Sequence, residues 1–136
     1  MTYQDTVLSA CKKYGYLDKT NTAFNFSCEG KHTLNILSKK ISTQNFAVKN
    51  FVLHSYLLDL GIKKASEFGK RKIIEEISKF RVDKNKNDFK EYSFKLPTEV
   101  FQRLKNFQAD KKIPLQNEAH YIAFFVGLEE FNKIKS

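Results

Sequence analysis

Two short stretches of this chain alternate apolar and polar side chains, and the polar ones carry hydrogen-bonding groups. In Phe24-Asn25-Phe26-Ser27-Cys28, Asn25 and Ser27 fall opposite Phe24, Phe26 and Cys28. In the second stretch Glu91, Ser93 and Lys95 alternate with Tyr92, Phe94 and Leu96. Period two is the repeat of a half-buried strand, so strands are expected over 23–28 and 91–96, each with one wet face. An Asn amide can bond adenine bidentately, a Lys ammonium can reach the acceptors of guanine, and a Ser hydroxyl serves either. Asn25, Ser27, Ser93 and Lys95 are therefore candidates for contact with base edges. Glu91 suits this less, because phosphates repel a carboxylate unless it accepts a cytosine amino proton. The plain alternative, ordinary solvent-facing strand positions, stays open.

A second set of residues could hold anions. Lys39-Lys40-Ile41-Ser42-Thr43-Gln44-Asn45 is echoed by Lys111-Lys112-Ile113-Pro114-Leu115-Gln116-Asn117. In each copy the segment joins two helical patterns, with Asn45 or Asn117 in the favoured N-cap position of the second helix. The free N–H groups and positive dipole end of such a helix suit a phosphate. Gln44, Asn45, Gln116 and Asn117 would lie there, with Lys39, Lys40, Lys111 and Lys112 beside them. Lys70, Arg71 and Lys72 could also touch phosphates. The bland readings are that the Asn side chains only cap and that the charge run is a solvated helix face.

The elements that must position these groups repeat. Residues 4–15 suit a short helix with Val7, Leu8 and Cys11 on one face, ended by Tyr14-Gly15-Tyr16, and Thr20-Asn21-Thr22 is turn material. After the first strand, Leu34, Leu37 and Ile41 mark one helix. Val48, Phe51, Val52 and Ser55 mark the next, running to about Leu60 with Gly61 at C′. Ser66 to Phe80 reads as a helix with Ile73, Ile74, Ile77 and Phe80 on its apolar stripe, and 81–90 as a solvated linker. After the second strand, Pro97 can open a helix bearing Phe101, Leu104 and Phe107. Pro114 interrupts, and Ala119, Ile122, Ala123 and Val126 mark the last helix. The strands are 68 residues apart and the Lys-Lys-Ile echoes 72, which predicts about one extra turn in the first helix of the second copy. The organisation expected is a helical extension (1–22), a strand-helix-helix unit (23–61), a basic helix with linker (62–90) and a second unit (91–136).

Composition narrows the function. The chain has 136 residues, a net charge of +9, 13 Phe and 6 Tyr, enough apolar material for one shared core. Residues 62–90 carry ten Lys/Arg against five acids. Such a balance speaks for nucleic acid first and an anionic membrane surface second. No apolar run reaches the roughly 18 residues of a transmembrane helix, and no signal-peptide pattern opens the chain. Cys11 and Cys28 have neither metal spacing nor a disulfide framework, so reduced thiols in a cytoplasmic protein are expected. His32, His54 and His120 share no metal spacing with any Cys or acid and are expected at the surface or half-buried. There is no P-loop, GxGxxG or GxSxG, and nothing points to catalysis or a cofactor.

Strand, Leu96-Pro97, helix, short polar loop, capped helix resembles the ribbon-helix-helix superfamily (the MetJ/Arc/CopG group). The resemblance is sharper over 91–128 than over 24–61, where Glu29-Gly30 replaces the Leu-Pro junction. It implies a mainly α fold with one short antiparallel two-stranded ribbon, two ribbon-helix-helix repeats forming an intramolecular pseudo-dimer. It also implies a ribbon that enters the major groove of double-stranded DNA. Transcriptional regulation is then the leading function, with an accessory role in conjugative plasmid transfer or partition as its near relative. The basic helix between the repeats departs from the minimal family pattern and leaves open a homodimer or contact with other DNA-bound proteins. A protein-interaction module is the alternative from another class and would expose an apolar patch. Non-specific RNA binding would favour exposed aromatics on the sheet.

Overall fold

The structure, a computed structural model, describes residues 3–42 and 47–135. The elements are α1 (Tyr3–Tyr14), β1 (Lys19–Ser27), α2 (Cys28–Ile41), α3 (Asn50–Ala65), α4 (Lys70–Lys86), β2 (Phe89–Pro97), α5 (Thr98–Asp110) and α6 (Gln116–Lys135). The chain is mainly helical, with one two-stranded antiparallel sheet formed within the single chain. Lys19 lies opposite Pro97, Ala23 opposite Ser93 and Ser27 opposite Phe89. Pairing continues past both ends of the ribbon, where Cys28 N donates to Asp88 O and Thr98 N to Asp18 O.

Period two does to the ribbon what it must. Phe24, Phe26, Phe94 and Leu96 are buried beneath it, each Phe contributing about 1.5–3 kcal/mol by leaving water. Below lie Leu34, Leu37 and Ile41 of α2, Leu53, Leu57 and Leu58 of α3, Val100, Leu104 and Phe107 of α5, and Ile122 and Phe124 of α6. The stripes expected on α2 and α6 are the buried ones. α3 and α6 make the most extensive helix–helix contact. A Cβ on Gly61 would lie 1.7 Å from the Ala123 carbonyl oxygen, and one on Gly127 would lie 1.9 Å from that of Leu57. Both glycines are therefore demanded by backbone proximity.

The remaining helices are fastened by polar bonds as well as by apolar contact. α1 lies on α3, where the Tyr14 hydroxyl donates to the Asp59 carboxylate. Arg103 of α5 closes a fork on the same carboxylate at 2.9 and 2.8 Å. Burial, then Asp59, pushes the Tyr14 phenol upward, and Asp59 raises Arg103. α4 docks on α6 through Phe80 against Tyr121, the Tyr121 hydroxyl donating to Asp83 at 2.7 Å, and Arg81 to Glu118 at 3.1 Å.

Several boundaries differ from expectation. Thr20-Asn21-Thr22 is strand rather than turn, and Cys28 opens α2 instead of closing β1. Gly61 is inside α3, not at its C′, because the crossing with α6 needs a residue without a side chain. The N-cap of α3 is Lys49, and Asn45 lies outside the described residues. α4 continues to Lys86 through the stretch read as linker, since Arg81 and Asp83 find partners on α6. No extra turn exists: α2 has 14 residues and α5 has 13. α5 ends before the second echo, in a Schellman motif. Ile113 N bonds Gln108 O, Lys112 N bonds Ala109 O, and Lys112 takes φ 54°.

Two substitutions test this packing. Gly61→Ala should lose about 1–3 kcal/mol in urea denaturation, because backbone blocks the new methyl group. Lys112→Gly should gain about 1 kcal/mol by relieving the left-handed conformation. Equal stability of Gly61→Ala and the unchanged protein would contradict the close crossing.

Candidate functional site

The face of the ribbon turned away from the core is polar and open. Opposed pairs run along it: Asn21 with Lys95, Ala23 with Ser93, Asn25 with Glu91. Lys95 and Ser93 are exposed, as expected of outward strand positions. Asn25 is half-buried, and its backbone N–H donates to the Asn117 side-chain oxygen at 3.0 Å. Its own amide oxygen is buried without a hydrogen-bond partner. Asn25 must therefore rotate before it can offer both amide groups to a base.

Ser27 is not on this face. It is 2% exposed, and its hydroxyl caps α2 by accepting from Gly30 N at 3.1 Å. The strand turns into the helix at this residue, so the alternation no longer applies to it. Asn117 does not cap α6 either. It occupies the second position of the helix, and its oxygen is spent on the ribbon. Glu118 takes the capping role, reaching back to Leu115 N at 3.1 Å while paired with Arg81.

The basic candidates are dispersed. Lys39 and Lys40 are exposed in the last turn of α2, where cations suit the dipole. Lys70 and Arg71 are exposed in the first turn of α4, and Lys72 pairs with Glu76 at 3.2 Å. Lys111 is half-buried and donates to Phe68 O at 2.8 Å, fixing the α5–α6 loop to the start of α4. Lys112 is exposed, Gln116 is half-buried, and Lys70, Lys111 and Lys112 line one shallow groove. Gln44 lies outside the described residues, like Asn45.

The outward face is longer than expected. Lys19 and Asn21 are exposed on β1 before the expected strand, Lys19 turning its ammonium to the Gly15 and Leu17 carbonyls and the Phe51 ring. The signal was the alternation itself, which extends back through Thr22 and Thr20, β-branched residues that favour strands. Two of the three histidines also differ from expectation, whereas His32 is exposed as expected. His54 and His120 are both 0% exposed, with their Nε2 atoms 2.8 Å apart, directly beneath the ribbon. The Phe24 ring stacks on His120 at 4.0 Å. One neutral ring donates to the other, and both Nδ1 atoms are buried without partners. His-x6-Gly occurs twice, as His54 to Gly61 and His120 to Gly127, and could have marked the pair as core.

Burial, then the Lys31 ammonium, lowers His54 to about 3, and burial, then His54, holds His120 well below its ordinary value. Other neighbours of the pair, Phe24, Phe26, Phe94 and Phe124, carry no charge. Unfolded histidines bind protons below about pH 6.5, whereas these folded ones do not. Stability is thus complete above that pH and falls as the solution is acidified, by up to about 1.4 kcal/mol per pH unit for each ring. The urea midpoint should drop between pH 7 and 5 (about the range in which most carboxylates stay ionised), and a His54→Leu/His120→Leu double variant should lose most of that drop. An unchanged slope in the variant would place the acid sensitivity elsewhere.

Among the described residues no group of His, Cys, Asp and Glu is arranged to hold a metal, and no helix is long and apolar enough to cross a membrane. No protein-family model, curated protein or solved structure matches this chain.

Proposed function

We propose that this chain is a sequence-specific double-stranded DNA-binding protein that inserts its ribbon into the major groove. It does so as a tandem ribbon-helix-helix protein in which β1-α2-α3 and β2-α5-α6 form an intramolecular pseudo-dimer. The observation that carries this reading is the ribbon itself: apolar side chains packed below, and an exposed polar face of Asn, Ser and Lys above. A two-stranded ribbon fits the major groove, which is about 12 Å wide.

The pseudo-dimer is supported by residue offsets. β1 and β2 are offset by 70 residues, Lys19 to Phe89 and Ser27 to Pro97. The opposed pair Ala23 and Ser93 has the same offset, as expected where a two-fold axis crosses the ribbon. His54 and His120 differ by 66, as do Gly61 and Gly127, and each pair meets across the α3–α6 contact. A first helix shorter by one residue, and a connection between the helices of residues 111–115 in place of 42–49, account for the change of four.

In this reading Lys95, Ser93 and Asn25 touch bases. Lys39, Lys40, Lys70, Arg71, Lys111 and Lys112 supply the phosphate attraction on which affinity and its salt dependence rest. Transcriptional regulation is the function favoured, and a transfer or partition factor would use the same contacts. One observation favours a protein-interaction module instead: Ile74 and Val82 are 52% and 51% exposed along one groove of α4. Enrichment of bound sites from random duplex DNA at about 150 mM salt separates the two readings. The DNA reading expects a motif, and the interaction module expects none. Lys95→Ala and Asn25→Ala should then lose about 1–3 kcal/mol on the selected site and much less on random duplex. Equal losses on both would reduce these residues to phosphate contacts.

A further inference from the structure

The two ends of the ribbon's outward face are chemically unlike. At one end Lys95 opposes Asn21, and both side chains are exposed. A shallow depression lined by Asn21, Ala23, Ser93 and Lys95 opens there. At the other end Asn25 opposes Glu91. Asn25 is held by Asn117 through its backbone and buries its amide oxygen, and Glu91 places a carboxylate in the open. The centre is Ala23 against Ser93, a methyl group beside a hydroxyl.

We propose that one chain reads a DNA element without two-fold symmetry, in a single orientation, with Asn21 and Lys95 as its principal specificity-determining pair. This rests on the DNA-binding reading above. The Asn21/Lys95 end can make bidentate contact with adenine and bond the acceptors of guanine, and its positive charge draws it toward the phosphates. The Asn25/Glu91 end is repelled by phosphates wherever Glu91 finds no cytosine amino group to accept from, so it discriminates by exclusion. Ala23 can meet a thymine methyl group at the centre. A ribbon of two identical strands would present the same groups at both ends and read a palindrome. Here the strand that supplies Asn21, Ala23 and Asn25 is paired with one that supplies Glu91, Ser93 and Lys95. Association of two chains would repeat this element without making it symmetric internally.

The test is enrichment of random duplex DNA by the full chain and by Asn21→Ala, Lys95→Ala, Asn25→Ala and Glu91→Ala variants, all at exposed or half-buried strand positions that leave the core untouched. The unchanged protein should enrich a core whose two halves differ. Asn21→Ala and Lys95→Ala should each erase preference in the same half and weaken binding to the selected site by roughly five- to a hundredfold. Glu91→Ala should relax the other half while strengthening binding to random duplex. A core that reads the same in both orientations overturns the proposal and leaves DNA binding intact. So does a core that Asn25→Ala abolishes and Asn21→Ala does not alter. Failure of every protein to enrich any sequence would overturn the DNA-binding reading itself.

Discussion

Backbone meets backbone where α3 crosses α6, and the rest of the fold is arranged around that contact. Neither Gly61 nor Gly127 has room for a methyl group, because each faces a carbonyl of the opposite helix. About two turns away along the same helices, His54 and His120 come within hydrogen-bonding distance. Aromatic rings from the ribbon then close over the imidazoles, Phe24 stacked on one and Phe94 at 4.4 Å from the other. The ribbon's position above the helices is thus set by a stack that begins with two absent side chains. The buried imidazole pair carries two unpaired nitrogens, a cost of about 1–3 kcal/mol for each such group, so apolar packing around it must more than compensate.

The same geometry leaves the outward face of the ribbon free. Every large apolar group of the central strand segments is turned down into the core, and amide, hydroxyl and ammonium groups remain above. A face held rigid loses less side-chain freedom when another group binds it. The Asn117 bond to Asn25 and the cap at Ser27 fasten the ribbon to the helices. α1 and α4 do not contribute strands. They widen the base of the structure through the Tyr14–Asp59 and Tyr121–Asp83 bonds, and α4 carries basic side chains to a second face.

Local pattern determined much of this. Alternation at Phe24/Phe26 and Phe94/Leu96 set which side of each strand is buried, and 3.6-residue spacing set the stripes of α2, α5 and α6. Ser93 and Lys95 were legible as outward for the same reason, because period two leaves no other choice on a half-buried strand. Tertiary structure decided what local pattern could not express. Gly61 reads as a helix terminator until another helix is brought against it. His54 and His120 read as polar surface until each becomes the other's partner. Charged Arg81 and Asp83 read as linker until α6 offers Glu118 and Tyr121. Ser27 and Asn117 read as groove and cap residues until ribbon and helices compete for their oxygens. In each case the deciding partner lies far away along the chain, and propensity and periodicity carry no information about distant partners. Local pattern was enough to place the two strands, their buried sides and most of the helices. The folded chain alone fixed the register in which the strands meet and which polar groups remain free to meet another molecule.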